Sequence, residues 1–206
     1  EGYGEDQFIF MATANGTVKK TPLMDFARPR SSGLIAIELE DDNTLIGASV
    51  TDGASDVMLF SSGGRAIRFK EQDVRAMGRS ARGVRGIKLR ASEAVISLII
   101  PNAEGTLLLA SEKGYGKRTP VEEFSVIGRG GQGVISMKLS ERNGSLVGVA
   151  QVGSGFEVLL ISDQGTMVRT RVDEVSTLGR NTQGVRLINL SAVSYTHLTL
   201  PTTPYV

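Results

Sequence analysis

Four positions after each of four glycines stands a base: Lys20 after Gly16, Arg68 after Gly64, Arg118 after Gly114 and Arg169 after Gly165. Nine positions after the same glycines stands an acid: Asp25, Asp73, Glu123 and Glu174. A second glycine follows in each copy, Gly33, Gly83, Gly133 and Gly184, and four residues before it come Arg79, Arg129 and Arg180. The first copy has Pro29 there, between Arg28 and Arg30. A guanidinium offers a fork of donors matched to phosphate oxygens, and glycines let a backbone approach an anion closely. Regularly spaced, such groups could hold a run of phosphates without reading sequence. The candidate phosphate contacts are these bases with their neighbours: Lys19, Lys20, Arg68, Lys70, Arg79, Arg82, Lys117, Arg118, Arg129, Arg169, Arg171 and Arg180. A structural reading stands beside this one, in which the glycines shape turns and each base pairs with the acid near its hairpin.

Little else in the chain could do chemistry. There is no Cys and one His, His197, which leaves no thiol catalysis, no disulfide and no usual zinc site. The carboxylate pairs Asp41-Asp42 and Glu122-Glu123 fall in predicted turns or on exposed faces. Gly128 to Gly133, GRGGQG, fits G-x-G-x-x-G but lacks the strand-to-helix setting of a dinucleotide site. Trp is absent and aromatics are 5% of the chain, too few for a stacking platform.

The elements that position the bases repeat with them. The turn glycines recur at intervals of 48, 50 and 51 residues, a period that marks propellers and arrays. Each sits in a hairpin turn, Asn15-Gly16, Gly63-Gly64, Lys113-Gly114 or Gln164-Gly165, where a tight primed turn needs positive φ. The incoming strands are Phe8 to Thr13, Val57 to Ser61, Leu107 to Ser111 and Val158 to Ser162. Polar connections follow, then a third strand after each second glycine: Leu34 to Leu39, Val84 to Leu89, Val134 to Leu139 and Val185 to Leu190. The fourth strands are Leu45 to Val50, Val95 to Ile100 and Leu146 to Val152. Four short strands per copy predict an all-β fold of propeller-type blades. The copies span about 8–56, 57–104, 105–156 and 157–190, after a lead-in at 1–7. Residues 191–206 contain no Asp, Glu, Lys or Arg and break the pattern, so they read as foreign to the repeat.

The net charge is only +1, yet its distribution is uneven. Ser31 to Gly64 holds six acids and no Lys or Arg, whereas Arg65 to Lys88 has a balance of +6. Equivalent halves of stacked copies would form a basic stripe, the footprint of a nucleic-acid binder. No apolar run is long enough to cross a bilayer and no secretion signal opens the chain, so the expected compartment is the cytoplasm.

Several stretches identify a family. FMATANGTVKKT (Phe10 to Thr21), VMLFSSGGRAIRFKEQDVRAMGRSARGVRGIKL (Val57 to Leu89), GYGKRTPVEEF (Gly114 to Phe124) and GRNTQGVRLI (Gly179 to Ile188) resemble the C-terminal domain of the bacterial DNA gyrase A protein. The resemblance covers about Phe8 to Leu190. It implies a β-pinwheel, here in part, whose neighbouring blades exchange a strand and whose basic rim binds and bends double-stranded DNA. It implies a place in an ATP-dependent type IIA topoisomerase that introduces negative supercoils, a heterotetramer of gyrase A and gyrase B proteins. ATP and Mg then belong to other parts of that holoenzyme, with no cofactor here, and the location is bacterial cytoplasm at the nucleoid, not a membrane. The family's Q-R-R-G-G-K-G box is not among these residues; Gly128 to Gly133 echoes it. Its catalytic tyrosine follows an arginine, and none of Tyr3, Tyr115, Tyr195 and Tyr205 does. Two other readings are a related topoisomerase IV domain and a protein-interaction propeller.

Overall fold

A computed structural model describes residues 4, 6–102 and 105–190 and the backbone of 196–199. The chain is all β, with four short 3-10 turns as its only helical segments among those residues. In each copy an antiparallel hairpin forms around the turn glycine: β1 (Phe8–Thr13) with β2 (Thr17–Pro22), β4 (Asp56–Ser61) with β5 (Arg65–Lys70), β8 (Thr106–Ser111) with β9 (Tyr115–Pro120), and β12 (Glu157–Ser162) with β13 (Met167–Arg171). A 3-10 turn follows each hairpin, at Leu23–Phe26, Glu71–Asp73, Val121–Glu123 and Val172–Glu174. The fourth strand of the copy, β3 (Leu45–Thr51), β7 (Val95–Ile99) or β11 (Leu146–Val152), returns to the outer side of the incoming hairpin strand.

The strand after the second glycine is much shorter than the sequence suggests, and it goes elsewhere. Only β6 (Val84–Arg85), β10 (Val134–Ile135) and β14 (Val185–Arg186) form. Each pairs with the outgoing hairpin strand of the preceding copy: Val84 opposite Val18, Val134 opposite Ala66, Val185 opposite Gly116. The sheets therefore run β3-β1-β2-β6, β10-β5-β4-β7 and β11-β8-β9-β14. Leu34 to Leu39, expected as a strand, has none, since the described residues hold no earlier hairpin for it to join. The fourth sheet is β13-β12-β15, where β15 (Thr196–Thr199) pairs with β12. Part of the segment set apart by composition thus takes the place that a fourth strand takes in the other copies. Residues 191–195 and 200–206 lie outside the described residues.

Turn glycines dock the exchanged segment. The carbonyl of Gly16 accepts from Gly86 and Ile87, that of Gly64 from Ser136 and Met137, and that of Gly114 from Leu187 and Ile188. All three glycines have φ between 73° and 87°. A Cβ on Gly114 would come within 2.5 Å of the Ile188 carbonyl oxygen, so close approach and left-handed backbone both require glycine.

The described chain folds as two units, Glu1–Leu59 with Ile67–Pro101 and Val126–Gly133, and Phe60–Ala66 with Asn102–Ser125 and Val134–Val206. The first is built on Phe10, Val18, Val57, Leu59, Ile67, Phe69, Val74, Ile87 and Val95. In the second, Leu108, Val158, Val172 and Val175 pack together, as do Phe60 and Phe124, edge to face at 5.9 Å. The incoming strands β4 and β8 are buried along almost their whole length, which explains their unbroken apolar runs VMLF and LLLA. A strand covered on both faces has no reason to alternate.

Candidate nucleic-acid interface

The base four residues past each turn lies on the outgoing hairpin strand, and in the first three copies it runs beside the next copy's connection. The carbonyl of Lys20 accepts from Met77, that of Arg68 from Ile127 and that of Arg118 from Leu178, each at 2.8 Å. Backbone placement is thus equivalent, but side-chain setting is not. Lys20 is 7% exposed, paired with Glu71 at 3.9 Å and set 4.8 Å from the centre of the Phe8 ring. Arg68 and Lys70 both hold Asp56, at 2.6 Å each. Burial raises the Asp56 pKa, but the hydrogen bonds from Lys70 and Arg68 outweigh it and hold the carboxyl below its ordinary value. Arg118 donates to the Val175 carbonyl at 2.7 Å and lies 3.7 Å from Asp173. Arg169 pairs with Glu157, and Arg171 is exposed. The acids that hold these bases are not those nine residues past the glycine. In the first and third copies they come from the next copy's connection, Glu71 and Asp173; in the second and fourth they open the hairpin, Asp56 and Glu157.

Lys19 and Lys117 are fully buried, and neither ammonium reaches solvent. Lys19 donates to the carbonyls of Ala36, at 2.7 Å, and of Arg79. Lys117 donates to the carbonyls of Gly179 and Arg180, both at 2.6 Å, and to Thr182 Oγ1 at 3.2 Å. Each lysine thus grips the loop that carries the next frame arginine. Ile67 and Val168 occupy the same offset in the second and fourth copies. Burial lowers the Lys19 pKa, and nearby Arg79 lowers it further against Asp25. Burial likewise lowers Lys117 to about 8 from 10.5; Glu123 opposes this and Arg180 adds to it.

That shift has a sign that can be tested. Between about pH 8 and 10.5 the unfolded chain binds the Lys117 proton more tightly than the folded one, so stability rises with pH across that window. Lys117→Met removes this contribution and leaves buried carbonyls without their donor, which costs about 1–3 kcal/mol at neutral pH. Urea unfolding at about pH 7.5 and about pH 9.5 should show a larger alkaline gain in the wild type than in Lys117→Met. Equal gains in the two proteins would refute the assignment.

The frame arginines share one geometry. Arg79 donates to the carbonyl of Ile35 at 3.5 Å, Arg129 to that of Arg85 at 3.0 Å and Arg180 to that of Ile135 at 3.0 Å. Each acceptor is the second residue past the preceding copy's second glycine. Arg129 also donates Nε to the Asp73 carbonyl at 2.9 Å, and the Arg180 amide donates to Glu123 at 2.8 Å. None of the three guanidiniums has a carboxylate partner among the described residues. Main-chain carbonyls orient them without cancelling their charge, and Arg129 is exposed. Arg82, by contrast, forks onto Glu38 through Nε and a terminal nitrogen at 3.0 and 2.8 Å.

One group escaped the sequence reading because it does not repeat. Tyr115, beside the third turn, accepts from Arg142 at 3.2 Å and from Arg186 at 2.7 Å. The hydrogen bond from Arg142, then that from Arg186, holds its phenol below the ordinary pKa. The GRGGQG segment is a loop fixed by backbone contacts, with the Gly130 amide donating to Gly86 at 2.6 Å and the Gly131 carbonyl accepting from Lys88 at 2.8 Å. No helix follows it, so it is no dinucleotide site.

A repeat whose hairpins are completed by the next copy's strand, with arginines at a fixed offset in three of its four copies, defines a strand-exchanged β-propeller domain. The family described as "DNA gyrase C-terminal domain, beta-propeller" matches residues 7–52, 55–102, 105–152 and 157–192, and the chain belongs to it. The DNA gyrase A protein of Pseudomonas aeruginosa is 63% identical over 185 residues, covering 90% of this chain and 20% of the relative. The Salmonella typhimurium gyrase A protein is 56% identical over 186 residues, covering 90% and 21%. The chain thus spans about a fifth of the length of these relatives. A solved DNA gyrase A C-terminal domain aligns with TM-score 0.83 at 28% identity, over 95% of this chain and 65% of that one. The C-terminal domain of a DNA topoisomerase IV aligns with TM-score 0.86 at 23% identity, over 92% and 59%, a likeness of fold alone.

Proposed function

We propose that this chain is a module of the DNA gyrase A protein that binds duplex DNA through its phosphates and bends it along the basic faces of its copies. The supporting observation is the set of frame arginines, oriented by carbonyls yet left without a neutralising carboxylate. Phosphate oxygens can take the donors that remain, and such contacts carry no sequence information. Within the holoenzyme this module serves ATP-dependent negative supercoiling by guiding a DNA segment toward the breakage site. ATP, Mg and the nucleophilic tyrosine act from other parts of that assembly, with gyrase B, in the bacterial cytoplasm at the nucleoid. Identity of 63% to a gyrase A protein favours this reading over the topoisomerase IV one. Buried Lys19 and Lys117 leave the contact set and act on it instead, by holding the frame loops.

Salt-titrated binding to two unrelated duplexes of equal length tests the proposal. Binding should fall steeply with salt and alike for both, and Arg79→Gln with Arg129→Gln should flatten the log-log slope by up to about two units. No binding at low salt would end the reading, and an unchanged slope would make the frame arginines purely structural.

A further inference from the structure

In the third copy two guanidiniums converge on one uncharged oxygen. The guanidinium carbons of Arg142 and Arg186 lie 4.9 and 5.2 Å from the Tyr115 ring centre, and both side chains donate to its Oη. Arg186 also donates to Asn189 Oδ1 at 3.1 Å, another neutral acceptor. Neither arginine has a carboxylate partner among the described residues, and both are exposed. Like charges held this close repel each other, and an anion between them removes that cost. The backing is rigid: Tyr115 is 3% exposed, Arg186 faces it across the β9–β14 pair, and Arg142 stands in the turn fixed by Asn143, which is fully buried.

We infer that Arg142 and Arg186, braced on the Tyr115 ring, form a seat for one phosphodiester of bound duplex DNA. The inference rests on the DNA-binding reading above and adds an asymmetry to it. Asp42 lies in the corresponding turn of the first copy, and Ile135 replaces the cross-strand arginine opposite Arg65. Thr17, Arg65 and Thr166 stand where the third copy has Tyr115, so the seat belongs to the third copy alone among the described ones, and it anchors the DNA path where the frame arginines only follow it. Arginine suits the place because its flat fork can stack on a ring and still present donors at its edge.

The test uses the 206-residue chain and a duplex of about 20 base pairs, with the tyrosine rings isotopically labelled for NMR. Duplex added at low salt should shift the Tyr115 ring signals as the phosphate draws donors from the phenol. Arg142→Gln with Arg186→Gln should make the log-log salt slope shallower by about 0.9, one phosphate's share, and abolish the Tyr115 shift. Should the double variant fold poorly, the wild-type Tyr115 signal decides alone. A wild type that does not bind overturns both this inference and the reading under it. A wild type that binds with Tyr115 unmoved, or a double variant with unchanged slope, overturns the seat and leaves the DNA-binding reading standing.

Discussion

Gly184→Val should cost the domain about 3–5 kcal/mol, in the range that only a short list of mechanisms reaches. Gly184 has φ of +78°, where a β-branched residue is a steric outlier. Its Cβ would stand 2.5 Å from the Gly116 carbonyl oxygen and 2.9 Å from the carbonyl carbon. Those atoms belong to the β9 backbone and cannot rotate away as a side chain could. Relief has to come from lifting β14 off β9, which also pulls Leu187 and Ile188 from the Gly114 carbonyl. Urea unfolding should show the loss, and hydrogen exchange should show the Leu187 and Ile188 amides losing protection ahead of the rest. Gly165→Ala is the matched control, because Gly165 has φ of +79° but no atom within 4 Å of the added Cβ. It should cost only the backbone strain of about 1–2 kcal/mol. A Gly184→Val loss no larger than the control's would show that strand docking does not depend on the close approach.

Phe69→Ala should cost about 3–5 kcal/mol, the usual toll for emptying an aromatic site in a packed core. Phe69 is fully buried, its ring 6.3 Å from that of Phe10, among Val18, Val57, Val74 and Ile87. These residues come from two hairpins, from the connection after the second and from the exchanged segment, so the cavity opens where they meet. Phe69→Leu keeps much of the volume and should cost less than about 1.5 kcal/mol. Denaturant midpoints of the two variants check the order. A Phe69→Ala loss near that of Phe69→Leu would mean the site collapses freely and Phe69 is no centre of packing.

Hairpins were legible because their determinants are local. Gly16 and its counterparts take the positive φ each turn needs, although Asn15, Gly63, Lys113 and Gln164 before them do not, so the turns are not the primed type expected, and the β-rich runs beside them have no competing helical period. The segment after the second glycine was not, although Val84 to Leu89 has good strand composition. Val84 and Arg85 join a ladder, while Gly86 and Ile87 spend their amides on the Gly16 carbonyl of the preceding copy. That partner lies far upstream, and propensity has no view of it. Charges failed for another reason. Equal offset placed Lys20, Arg68, Arg118 and Arg169 on equivalent backbone, but which acid meets each base changes from copy to copy. Lys19 and Lys117 read as surface charge, whereas three-dimensional packing puts carbonyls around their ammonium groups. Arg142 and Arg186 stand outside the frame, so reading by repetition passed over them.

The exchanged strand separates the unit that is inherited from the unit that folds. One copy in the gene, taken from its incoming hairpin strand to its fourth strand, encodes three strands of its own sheet and the closing strand of the sheet before it. Tandem duplication or loss of a whole copy therefore leaves every junction with the same two complementary halves. The number of copies can change in evolution without any new surface having to be matched. Recombination within a copy has no such freedom, because it alters the spacing by which the exchanged segment's amides reach the turn-glycine carbonyl of the preceding copy.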